Sequence, residues 1–142
     1  ITSVCAMGSG IAVEGSKYKW PDTITSLLKW KGGATGKCTS SFAPMRTKFH
    51  SLNIYGTKKS FVNGLPNATI FNGDDPHQNV SSIDTPYPGM EKGDLIPEFV
   101  SCIRSGREPS VNSVDVFRVM SVCFAIWEAT RTGQHIDVDY IC

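Results

Sequence analysis

The first two-thirds of the chain alternate apolar and polar residues with a period of two, whereas the last third repeats apolar residues at helical spacing. Val4-Cys5-Ala6-Met7 is an apolar run leading into Gly8-Ser9-Gly10. In Thr23–Trp30, Ile24, Leu28 and Trp30 share one face, which Ser26 interrupts. Lys31-Gly32-Gly33-Ala34 then turns the chain into Thr35–Phe42, the paired glycines supplying the positive φ angles of a tight hairpin. Thr23, Thr25, Thr35, Lys37, Thr39 and Ser41 fall at outward positions and give this sheet one polar face. A second hairpin follows, in which His50, Leu52 and Ile54 alternate with Ser51, Asn53 and Tyr55 before Gly56-Thr57-Lys58-Lys59 returns the chain into Ser60-Phe61-Val62. From Asn63 to Gly93 Asn, Asp, Gly and Pro prevail, which predicts loop with one short strand at Ala68–Phe71. Loops of that length often serve a site.

Leu95, Ile96, Phe99, Cys102 and Ile103 form one stripe of a short helix that ends at Ser105-Gly106. Asn112 or Ser113 caps a second helix, and Asp115 suits the positive end of its dipole. Its predicted apolar face is Val116, Met120, Cys123 and Trp127, with Phe117 and Phe124 beside them, and Thr132-Gly133 ends it. His135–Ile141 alternates as a closing strand. Strands first and helices later indicate an α+β fold. The expected architecture is an open, predominantly antiparallel sheet with helices on one face, the other face being free for oligomerisation, in a single domain over 1–142.

The glycines at Gly8-Ser9-Gly10 raise a nucleotide-binding loop as a possibility. The dinucleotide fingerprint requires a third glycine or alanine where Val13 stands, and a helix where Glu14–Tyr18 follow. Glu14 would also repel a pyrophosphate. The stretch reads as a strand running into an ordinary loop.

Composition narrows the class. Apolar residues make up 40% and charged ones 19% of 142 residues, which describes a globular chain. A net charge of +1 without a long Lys/Arg run excludes a dedicated nucleic-acid surface. The longest apolar stretch, Val119–Trp127, contains Ser121 and is far too short to span a bilayer. The five cysteines, Cys5, Cys38, Cys102, Cys123 and Cys142, include no C-x-x-C pair, so neither a zinc site nor a redox motif is expected. Cys102 and Cys123 lie in helical apolar patterns and read as buried thiols of a reducing compartment, hence a cytoplasmic location. Asn67-Ala68-Thr69 and Asn79-Val80-Ser81 are glycosylation-type triplets and leave a secreted alternative open.

Three clusters could carry chemistry. Asp74, Asp75 and His77 could bind a metal, but their spacing matches no known ligand set and a solvated turn is expected. Arg46 and Lys48, between the hairpins, could hold an anionic or hydroxyl-rich ligand or form a solvated loop, while His50 has the parity of a half-buried strand residue. Glu91, Asp94 and Glu98 surround a helix start, where the dipole favours carboxylates anyway. No nucleophile motif is present, and from the residues alone no catalytic machine is visible.

Ile103-Arg104-Ser105-Gly106-Arg107-Glu108-Pro109, followed by an apolar helix closing on Arg131-Thr132-Gly133 and a final strand, resembles the end of the Gfo/Idh/MocA oxidoreductases. Asp22-Thr23, Gly32-Gly33-Ala34 and Leu52-Asn53-Ile54-Tyr55-Gly56-Thr57 also resemble family positions. The resemblance implies the C-terminal domain of a longer NAD(P)-dependent dehydrogenase acting on a sugar, sugar nucleotide or cyclic polyol. In that family the N-terminal Rossmann domain holds NAD or NADP and a catalytic lysine, and an Asp-x-x-x-His motif stands at the domain junction. None of these has a counterpart in this sequence, so no catalytic, cofactor-binding or metal residue is expected here. The resemblance further implies that Arg46, Lys48 and His50 approach substrate, with Tyr87–Lys92 a weaker candidate, and that the open sheet face pairs subunits. The alternative is a standalone ligand-binding or dimerisation module without catalysis.

Overall fold

Seven-residue strands β1 (Ser3–Ser9), β2 (Thr23–Lys29) and β3 (Thr35–Ser41) begin the chain. Four shorter ones follow: β4 (Asn53–Tyr55), β5 (Lys59–Asn63), β6 (Ala68–Asn72) and β7 (Val80–Ile83). Helices α1 (Leu95–Ser105) and α2 (Ser113–Thr132) come next, and β8 (Ile136–Asp137) closes the chain. The computed structural model describes residues 1–44, 50–64, 67–73, 79–85, 93 and 95–141. The strands make two four-stranded antiparallel ladders, β3-β2-β1-β8 and β4-β5-β6-β7, so the fold is α+β. Ile1–Met45 with Ser101–Cys142 form one compact unit, and Arg46–Val100 form another.

The core of the first unit follows from the pleat of β1. Val4 and Ala6 alternate to one side and are buried beneath α2, against Ala125 and Ala129. Ile24 and Leu28 of β2, Ile136 of β8, and Val122 and Ile126 of α2 pack around them. Gly8 continues the same row, and its lack of a side chain is a steric requirement. A Cβ there would lie 2.8 Å from Thr130 Cγ2 and 2.9 Å from Pro21 Cγ. The glycine that suggested a phosphate loop instead lets the end of α2 approach the strand. After Gly10 the chain makes a single 3-10 turn over Ile11–Val13.

The face of α2 turned to the sheet differs from the predicted one. Ser121, Ala125 and Ala129 are buried, whereas Val116, Phe117, Met120, Cys123 and Phe124 are exposed. Small side chains bring the helix backbone close to the sheet, which the bulky stripe could not do. Trp127 is half-buried, and its ring meets the edge of Trp20 at a centroid separation of 5.0 Å and an interplanar angle of 80°. The caps agree with the sequence: the Asn112 side chain accepts from the Asp115 N–H at 2.9 Å, and Gly133 takes the left-handed conformation at φ 69°.

Buried polar groups of this unit are satisfied. Ser26, the residue that interrupts the apolar face of β2, donates to the Cys38 carbonyl of β3. Ser121 donates to the Phe117 carbonyl and accepts from the Ile141 N–H, which ties the C-terminal segment onto α2. The closing strand is shorter than predicted: Ile136 and Asp137 pair with Val4 and Ser3. Beyond β8, Val138 donates to the Thr2 carbonyl and the Tyr140 hydroxyl to the Ile1 carbonyl. Cys102 is buried as expected, but Cys123 is exposed because its face of α2 looks away from the sheet.

In the second unit the region predicted as loop with one strand holds two, β6 and β7. Val80-Ser81-Ser82-Ile83 has no apolar alternation to announce it and is paired antiparallel with β6. Asn79 stands at φ 62°, and its carbonyl accepts both the backbone N–H and the Nδ2 of Asn72. Across the ladder Ile54, Phe61, Ile70 and Ser81 share one face, while Asn53, Val62, Thr69 and Ser82 share the other. No described residue of this unit is buried.

Candidate functional site

The face of β3-β2-β1-β8 opposite α2 carries the residues predicted to point outward. Register sets Thr23 beside Ser41, Thr25 beside Thr39, Leu27 beside Lys37 and Lys29 beside Thr35. The hydroxyls form a cross-strand ladder, with Thr23 Oγ1 2.6 Å from Ser41 Oγ and Thr25 Oγ1 3.2 Å from Thr39 Oγ1. Thr23 Oγ1 also donates to Asp22 Oδ1 at 2.7 Å, and the other oxygen of this buried carboxylate accepts from the Ala12 N–H at 2.9 Å.

Pairing with β1 adds what the local pattern did not show. Cys5 lies opposite Leu27 and Met7 opposite Thr25, so apolar side chains interrupt the polar face. Met7 is 80% and Leu27 61% exposed. An open groove of about 510 Å³ runs across β1, β2 and β3, lined among others by Cys5, Leu27, Lys29, Lys37 and His135. Within it Cys5 Sγ is 3.5 Å from His135 Nδ1, and outside its lining the exposed Asp137 has Oδ1 3.8 Å from His135 Nε2. Cys5 and His135 come from opposite ends of the chain, and only the β1–β8 register joins them.

Of the predicted substrate residues, Arg46 and Lys48 lie outside the described residues, as do Asp74, Asp75, His77 and the stretch 86–92 apart from their sequence. His50 is exposed just before β4, and its carbonyl accepts from Asn63 Nδ2 at 2.9 Å, which fixes the backbone at the entry to the hairpin. Among the described residues no group of three or more His, Cys, Asp or Glu is placed to hold a metal, and no helix is long and apolar enough to cross a membrane. The Gly8-Ser9-Gly10 stretch does not fit a dinucleotide. Pro21 and Thr130 fill the space beside Gly8, and the chain passes into one 3-10 turn where the cofactor motif needs a helix.

A helix-backed antiparallel ladder, with a second ladder inserted between β3 and the helices in the sequence, defines the α+β class of this chain. Residues 5–138 match the profile of the oxidoreductase family, C-terminal alpha/beta domain, and the chain belongs to this Gfo/Idh/MocA family. Its fold is similar to that of levoglucosan dehydrogenase solved with NADH and levoglucosan, at 20% identity and a TM-score of 0.79, over 99% of this chain and 45% of that one. An Agrobacterium radiobacter oxidoreductase, solved with NAD+, L-tartaric acid and magnesium, shares 19% identity and a TM-score of 0.73 over 97% of this chain and 43% of its own. The WlbA dehydrogenase of Bordetella pertussis, in complex with NADH and UDP-GlcNAcA, shares 19% identity and a TM-score of 0.55 over 97% and 40%. This chain therefore spans less than half the length of these solved relatives. No curated protein matches it in sequence.

Proposed function

We propose that residues 1–142 act as one substrate-binding and subunit-pairing domain of an NAD(P)-dependent dehydrogenase that oxidises a carbinol of a sugar, sugar nucleotide or cyclic polyol. In this reading NAD or NADP and the proton-transferring residues belong to the rest of the enzyme, and this chain alone has neither turnover nor nucleotide affinity. Arg46, Lys48 and His50 contact the substrate: the guanidinium and ammonium donate to its hydroxyl or anionic oxygens, and the imidazole accepts or donates according to its tautomer. The bound molecules of the solved relatives, levoglucosan in one and a sugar nucleotide in another, support the substrate class. Four described cysteines with free thiols suit a reducing, cytoplasmic setting.

The exposed face of β3-β2-β1-β8 carries the pairing part of the proposal. A broad antiparallel face with Met7 and Leu27 at its centre is poorly suited to remain in water, and a second copy covers it with the same surface. Light scattering is expected to give a dimer or higher oligomer for the chain, and Met7→Glu is expected to shift it to monomer by setting a charge into the contact. A wild-type chain that stays monomeric at high concentration would refute the pairing.

A further inference from the structure

The loop between β1 and β2 carries an aromatic cluster that the dehydrogenase reading does not use. Tyr18 is 65% and Trp20 59% exposed, and Trp20 rests on Trp127 of α2 at a centroid separation of 5.0 Å and an interplanar angle of 80°. In so nearly perpendicular a pair one ring meets the other's face with its edge, so Trp127 covers at most one of the two faces of the Trp20 indole. The loop is held at several points. Pro21, next to Trp20, packs against Gly8, and buried Asp22 accepts from the Ala12 N–H at 2.9 Å and from the Thr23 hydroxyl at 2.7 Å. Ser16 Oγ accepts from the Tyr18 N–H at 3.1 Å. Trp20 sits on the α2 side of the sheet, opposite the face proposed to pair, so a second copy on that face leaves it open.

We propose that Trp20, with Tyr18, is a stacking platform for an acidic pyranoside of the uronic acid type. The C–H-bearing face of a pyranose ring is apolar and slightly positive, which matches the negative face of an indole, while its hydroxyls stay in water at the rim. An indole already fixed between Trp127 and Pro21 loses little freedom when the sugar arrives. Charge selects the ligand. Exposed Lys17 and Lys19 flank Tyr18. Of the carboxylates next to these residues in the chain, Asp22 is bonded within the loop and Glu128 is paired with Arg131 at 2.7 Å. Two ammonium groups therefore stand against Glu14, and their excess attracts a carboxylate. The platform holds the sugar without reacting on it, and it does not rest on the dehydrogenase reading.

The indole N–H resonances of the three tryptophans report binding in the wild-type chain, and Trp20→Phe identifies the Trp20 signal. With methyl β-D-glucuronide as probe, the Trp20 signal is expected to shift and to saturate at roughly millimolar concentration, with Trp30 unmoved. Methyl β-D-glucoside, which lacks the carboxylate, is expected to bind about fivefold more weakly. The double variant Lys17→Glu/Lys19→Glu changes only exposed side chains, and it is expected to remove that preference while both sugars still shift Trp20. No shift at Trp20, a shift of equal size at Trp30, or equal affinity for the two sugars in the wild-type chain would overturn the proposal. Sedimentation with phosphatidylserine vesicles in place of a sugar response would assign the cluster to a membrane surface and overturn it too.

Discussion

The two units of this chain each carry a four-stranded antiparallel ladder, but among the described residues only one of them buries a core. In Ile1–Met45 with Ser101–Cys142, Val4 and Ala129 are 1% and 0% exposed beneath α2. In Arg46–Val100, Phe61, Ile70 and Phe71 reach only half-burial, although they are larger side chains. The contrast separates ladder formation from core formation. Backbone pairing needs only strands and turns, whereas burial needs a cover, and in the first unit that cover is the small-residue face of α2. Side-chain size alone is therefore a poor guide to where stability resides in this protein.

The largest effect is expected where that cover meets the sheet. Ala129→Leu forces a branched side chain into a contact with no room and should lower stability by about 3 kcal/mol, read as a fall in the denaturation midpoint. A change below 1 kcal/mol would mean that α2 can lift from β1 at little cost, and the contrast between the units would weaken.

A paired test asks whether burial outweighs size. Val4→Ala removes two buried carbons and should cost about 2 kcal/mol, whereas Phe61→Ala removes a whole ring from a half-buried position and should cost about 1 kcal/mol. Amide exchange assigns each effect to its unit, and a larger loss for Phe61→Ala would invert the comparison. The smallest effect is expected at the start of the helix. Asn112→Ala deletes the acceptor for the Asp115 N–H and should cost about 1 kcal/mol, and Asn112→Gly only a few tenths. Faster exchange should then appear in the first turn of α2, with β5 and β6 unchanged.

Much of the fold is legible in local chemistry. The Gly32-Gly33 hairpin and the Asn112 and Gly133 caps were readable because each depends on a few neighbouring residues, although only Gly33, at φ 88°, and not Gly32 takes a positive φ. The polar half of the open face was equally readable, since a tight hairpin fixes the register of Thr23–Lys29 against Thr35–Ser41. The apolar half was not. Cys5 and Met7 join that face only through the pairing of β1 with β2, across a connection of thirteen residues. His50 has the parity of a half-buried strand residue in the sequence, but it is exposed and precedes β4, which takes up pairing only at Asn53, while Arg46 and Lys48 rest on the family resemblance.

The sequence by itself determined the α+β class, the strands that alternate and the ends of α2, because these are set by periodicity, turn residues and caps acting over a few positions. Tertiary structure alone decided which side of α2 faces inward. That helix is apolar on several sides, so its pattern could not choose, and the close approach permitted by Gly8, Ala125 and Ala129 did. It also decided that β7 exists and that Cys5 meets His135. β7 depends on pairing with β6, which its own residues do not announce, and Cys5 reaches His135 only through the β1–β8 register, which no local preference encodes.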